Sequence, residues 1–139
     1  MTDLMRLDQD LARKAAQSLP TKVDPELRTR MRGLPVMIQT SGLAATAAFL
    51  LSRAEAKNDK DAYWRTADLI LTDAAEAAGI TVPSKQPEKA LAEVVKADPA
   101  RYELAETRAR LLAIWLSRLA QALAERERSN RPPGGGATG

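Results

Sequence analysis

The dipeptide Asp-Pro occurs at Asp24-Pro25 and again at Asp98-Pro99, and each occurrence marks the start of a helix. The aspartate offers a side-chain acceptor at the N-cap, and proline fits the first helical position because the N–H it lacks would have no partner there. Around these starts apolar residues recur every three or four positions, and nowhere do they alternate as in a half-buried strand. The chain is therefore expected to be all-α: a single-domain helical bundle of about five helices over residues 1–128, followed by a disordered Pro/Gly-rich tail over 129–139.

The spacing predicts a first helix from Asp3 to Leu19, with Leu4, Leu7, Leu11, Ala15 and Leu19 on one face and Arg6, Asp10, Arg13 and Lys14 opposite. Pro20 stops it. A second starts at Pro25, and Pro35, which lacks a donor and clashes with the preceding turn, is expected to kink or break it near Leu34. From Val36 to about Lys57 the chain is apolar almost all round and rich in alanine, as in a central helix that neighbours approach closely. Ala62, Tyr63, Ala67, Ile70, Leu71, Ala74 and Ala78 form the face of the next helix, which Gly79 ends. Pro87 opens a short helix with Leu91, Val94 and Val95 inward, and the longest, from Pro99 to Arg128, turns Ala105, Leu112, Trp115, Leu119 and Leu123 to the core. Beyond it, Arg131-Pro132-Pro133 and the triglycine that follows cannot continue a helix.

A search for chemistry yields little. The chain contains neither histidine nor cysteine, which removes the commonest general base, disulfides and most transition-metal sites. Asp8 with Asp10 and Asp59 with Asp61 are the closest carboxylate pairs, yet residues two apart on a helix point to different sides. The terminal triglycine lacks the Gly-Lys-Ser/Thr and the helix of a phosphate loop. Neither Ser41 nor Ser52 has a lysine three residues on to activate it. No catalytic residue, metal site or cofactor is expected, and the chain is read as a binding protein without enzyme activity. Its longest apolar run, from Leu43 to Leu51, falls short of the roughly 18 residues a bilayer span needs, and the start has no secretory signal; a cytoplasmic protein without membrane partners is expected.

The remaining signal is arginine. The formal net charge is only +3, from 21 Lys and Arg against 18 Asp and Glu, but its distribution is uneven. Arg28, Arg30 and Arg32 fall within five residues, and on the last helix Arg110, Ser117, Arg118 and Gln121 lie on the face opposite the Leu stripe. A guanidinium beside polar donors suits phosphate, and a solvated surface accounts for the same pattern. Of the aromatic residues, Phe49, Tyr63 and Trp115 sit on apolar faces and are assigned to the core, whereas Trp64 and Tyr102 lie beside arginines as rim or interface candidates.

The stretch Arg32-Gly33-Leu34-Pro35-Val36-Met37-Ile38-Gln39-Thr40-Ser41-Gly42-Leu43, continuing through Ala48-Phe49-Leu50-Leu51-Ser52, resembles the signature of the small subunit of the Cmr-type (type III-B) CRISPR RNA-guided effector complex. Tyr102, Thr107, Leu111, Leu112, Trp115, Leu116 and Arg118 resemble that family's closing helix, and the likeness spans about residues 25 to 128. Ser41 stands where an asparagine is usual before Gly-Leu. The resemblance implies a non-catalytic helical subunit of a ribonucleoprotein complex in antiviral defence, stacked in several copies along the guide RNA and its paired target RNA. It also implies contacts with backbone phosphates, with the backbone and large subunits of the complex and with further copies of itself. Arg28, Arg30, Arg32, Arg110 and Arg118 are then the candidate RNA-binding or subunit-interface residues. A free-standing helical adaptor that binds only protein, and the equivalent small subunit of a related type III complex, are the alternative readings.

Removing residues 129 to 139 is expected to leave the melting temperature unchanged, since this segment holds no large apolar side chain to dock. A clear drop in a thermal melt followed by circular dichroism contradicts the reading.

Overall fold

A computed structural model describes residues 2–20 and 22–129, with side chains described for 6–20 and 22–126. The described residues form six helices: α1 (Thr2–Ser18), α2 (Pro25–Ser41), α3 (Leu43–Arg53), α4 (Ala62–Ala77), α5 (Pro87–Lys96) and α6 (Pro99–Ser129). No strand occurs among them. The tail expected over 129–139 lies, from residue 130 on, outside the described residues; Ser129 is the last residue of α6.

The starts follow the capping chemistry. The Asp24 carboxylate accepts from Leu27 N–H at 2.7 Å, and that of Asp98 accepts from Arg101 N–H at 3.0 Å. Between α3 and α4 a single carboxylate organises the turn: Asp61 accepts from Tyr63 and Trp64 N–H on one oxygen and from Glu55 and Ala56 N–H on the other. Burial raises the pKa of Asp61, but these four backbone donors outweigh it and hold the group below its ordinary value. Gly79, at φ 71°, ends α4 as expected.

The break expected at Pro35 falls instead at Gly42. Pro35 lies inside α2, whose buried stripe Leu27, Met31, Leu34 and Ile38 runs in step across it, so burial on both sides holds the helix through the missing donor. Gly42 adopts φ 95° and ψ 164°, a conformation costly to any residue with a Cβ, and there the chain turns into α3. No side chain of its own caps α3. The cap comes from α6: Leu43 N–H donates to Glu106 Oε2 and Ala44 N–H to the Tyr102 hydroxyl, each at 3.0 Å. A carboxylate at a helix N-terminus is also favoured by the helix dipole.

All these helices are referred to α6. Ala105, Ala109, Leu112, Ala113, Leu116 and Ala120 are buried along it, with α2, α4 and α1 packed against that stripe. Ala105 and Leu112 are buried as expected, but further along the buried line is displaced from the expected Trp115 and Leu119, both half-buried, onto Ala113, Leu116 and Ala120, because alanines admit neighbouring backbones where bulkier residues would hold them off. The same displacement buries Trp64 and leaves Tyr63 half-buried on α4, and it leaves Val95 outward on α5. The helix expected over 36–57 is central only in part: Val36 is 61% exposed, while Leu43, Thr46, Ala47 and Leu50 of α3 are buried.

One charged cluster ties three helices together. Asp73 of α4 is 3% exposed and accepts from Lys14 Nζ of α1 at 2.6 Å and from Arg108 of α6 at 2.8 and 3.0 Å. Asp10 of α1 completes it, with Lys14 and Arg108 each at 3.2 Å. Hydrogen bonding to Asp73 raises the pKa of Arg108 against burial; burial lowers that of Lys14, but Asp73 and Asp10 raise it further. Burial raises Asp10, and the hydrogen bonds from Lys14 and Arg13 bring it below its ordinary value.

Asp73→Ala leaves Asp10, 3.2 Å from each, as the one remaining counter-charge for the half-buried Lys14 and Arg108, and a loss of about 3 kcal/mol is expected in a urea titration. Gly42→Ala is expected to cost about 1–2 kcal/mol through backbone strain, because the added Cβ meets only ordinary contacts, 3.4 Å from Glu106 and 3.7 Å from Tyr102. The stability contributed by Asp10 and Asp61 is present above their unfolded pKa of about 4 and is lost as pH falls through the lower folded values, so the urea midpoint should decline in that acid range; the contribution of Lys14, held above its ordinary value, is lost at the opposite end, as pH rises through its folded pKa.

Candidate functional site

The arginine cluster of α2 divides in two. Arg28 and Arg32 stand one turn apart and share a flank, whereas Arg30, two residues from each, points elsewhere. Its guanidinium carbon lies 5.3 Å from the centre of the Phe49 ring, and that of Arg53 lies 6.0 Å from the same ring. Arg53 in turn donates to Glu26 at 2.8 Å. Arg30 is thereby turned toward α3, and the other two toward the flank away from it. Arg28 and Arg30 are half-buried, each with an Nε that finds no acceptor among the described residues, while Arg32 is exposed.

Arg110 and Arg118 are exposed on α6, opposite the buried stripe and about 12 Å apart along the axis. Their neighbours Arg108 and Arg101 are paired, with Asp73 and Asp10 and with Asp98. Arg110 and Arg118 pair with no carboxylate among the described residues. Because the end of α2 sits beside Tyr102 and Glu106, α2 runs antiparallel to α6. Counted back from Gly42, Arg28 falls near the level of Arg118, and Arg32 falls between the levels of Arg110 and Arg118. Of the five candidate residues, Arg32, Arg110 and Arg118 are exposed, Arg28 is half-buried, and Arg30 is set apart against Phe49.

Tyr102 is no rim residue: its hydroxyl is the cap of α3. Two features were missed in the sequence. Arg53 follows Phe49 at the i, i+4 spacing that lets side chains meet on a helix, which was a readable signal. Leu104 and Leu111 are 58% and 38% exposed on the outer face of α6 beside the arginines, and their separation of seven residues was readable as well. Among the described residues no group of three or more metal-ligating side chains is placed to hold an ion, and no helix is long and apolar enough to cross a membrane.

The arrangement separates charges that fold the chain from charges free to bind. Arg110→Gln and Arg118→Gln should each change stability by no more than about 0.5 kcal/mol, whereas Tyr102→Phe, which strips Ala44 N–H of its partner, should cost about 1 kcal/mol. Equilibrium unfolding in urea distinguishes the two classes.

Comparison with protein families shows a match of residues 7–123 to the family model described as CRISPR-associated protein (Cas_Cmr5). No curated protein and no solved structure matches the chain.

Proposed function

The chain belongs to the CRISPR-associated Cas_Cmr5 family and is a type III-B subunit, and from that premise we propose that it is the non-catalytic small subunit of the effector ribonucleoprotein. In this reading several copies stack along the duplex of guide RNA and target RNA, in contact with the backbone and large subunits, in cytoplasmic antiviral defence. Target cleavage belongs to another subunit. The family match over residues 7–123 is the observation that carries the proposal.

The placement of the arginines supports it. A guanidinium without a carboxylate partner retains its full attraction for phosphate, and Arg32 on α2 is exposed. A net charge of +3 is small for an RNA-binding protein. Few phosphates neutralised per subunit give weak binding, but subunits held side by side bind through effective concentration, and modest charge then suffices.

The test is target binding by an effector complex reconstituted on guide RNA, with wild-type chain and with Arg28→Glu/Arg32→Glu. The wild-type chain should copurify in more than one copy. The variant, first verified as folded by circular dichroism because Arg28 is half-buried, should weaken target binding alike for unrelated guide sequences and flatten its salt dependence as fewer counterions are released. A wild-type chain that joins no RNA-containing complex would favour the protein-only adaptor. Purified alone, the chain should leave RNA intact with or without divalent metal; cleavage abolished by a point mutation in it would overturn the non-catalytic reading.

A further inference from the structure

α6 has a second seam, on the side away from the bundle. Leu104, Leu111 and Arg118 recur at intervals of seven, with Thr107, Ile114 and Gln121 three residues after each. This is the a/d spacing by which one helix receives another lengthwise. Over the first two heptads Thr107 is the one polar member of the line, and the line is uncovered: Leu104 is 58% and Leu111 38% exposed, Thr107 is exposed and Ile114 half-buried. Packing within the chain does not account for it, since the bundle occupies the opposite face through Ala105, Ala109, Leu112, Ala113, Leu116 and Ala120.

The charges along this seam select its occupant. Glu103, Arg110 and Ser117 precede the three seam positions, and Arg110 and Arg118 have no carboxylate partner among the described residues. Phosphate would satisfy the arginines but gain nothing from two exposed leucines. The same seam of a second copy would cover the leucines but bring as many arginines as carboxylates, Arg110 and Arg118 with Glu103 and Glu125, and so leave the pair without net complementarity. A helix with an apolar seam and flanking Asp or Glu satisfies both.

We propose that the outer face of α6, centred on Leu104 and Leu111, with Arg110 beside the seam and Arg118 at its far end, docks an amphipathic helix with acidic flanks from another protein subunit of the complex. RNA contact is then left to the α2 flank that carries Arg28 and Arg32. The inference rests on the proposed place in the effector complex. It deepens that reading by assigning one of its two faces to protein.

A photocrosslinking residue at Leu111, in a complex reconstituted on guide RNA, tests it. Crosslinks mapped by mass spectrometry should fall on an apolar-acidic helix of a different subunit. Crosslinks to RNA, to α6 of another copy or to no partner would overturn the assignment. Leu104→Glu, at the more exposed of the two leucines, should lower incorporation into the complex by about tenfold or more while the free variant keeps its melting temperature, because that side chain is 58% exposed. Unchanged incorporation of this variant overturns the docking face alone. A wild-type chain that fails to incorporate removes the parent reading, and the inference with it.

Discussion

Close approach to the alanine-lined stripe of α6 is the constraint on which the rest of the structure depends. Ala105, Ala109, Ala113 and Ala120 let α2, α4 and α1 come near enough to bury Met31, Leu34, Ile38, Ile70 and Leu71 completely. Burial of this kind is strong but non-directional, and a smooth small-residue surface tolerates sliding. Directional contacts from α6 remove that freedom. Tyr102 and Glu106 grip the first N–H groups of α3 at the Gly42 break, and Arg108 grips Asp73 and Asp10. The first pair sets where α2 gives way to α3, and the second sets the level of α1 and α4 against α6.

This division of labour explains how a chain of modest net charge keeps groups available for binding. The charges that fold the protein are turned inward and paired, as at Lys14, Asp73 and Arg108. Arg32, Arg110 and Arg118 stay in water, so replacing them does not disturb the packing. The helix that organises the core thus carries its free arginines and two exposed leucines on its back. In the proposed reading, folding and recognition fall on opposite faces of one element.

Much of the fold was legible in the sequence, and the errors share a cause. The starts at Pro25, Pro87 and Pro99 follow proline placement, and the end of α4 follows Gly79. On α6, Ala105 and Leu112 face inward as read, but Trp115 and Leu119 were weighed above Ala113 and Ala120, whereas close helix packing favours the smaller residue. The break at Pro35 was misplaced for a similar reason. A local penalty is visible in one residue, but the burial that overrides it depends on α6, some seventy positions along the chain, as does the cap that makes Gly42 a workable break. For the site, exposure of Arg110 and Arg118 followed from the helical period. Separation of Arg30 from Arg28 and Arg32 followed from it too, since residues two apart diverge, yet the three were grouped by proximity in sequence. The ion cluster around Asp73 was not legible, because its members are spread from Asp10 to Arg108 and meet only in the folded chain.

The central claim is that one helix folds the chain through its inner face and binds through its outer one. Hydroxyl-radical footprinting at side-chain resolution, on the free chain and on the assembled complex, tests it most directly. Leu104 and Leu111 should react in the free chain and lose most of that reactivity on assembly, while Leu112 and Leu116, fully buried one and five positions further along from Leu111, stay unreactive in both. Equal reactivity of Leu104 and Leu111 in the two states, or the appearance of reactivity at Leu112 and Leu116 on assembly, would contradict the account.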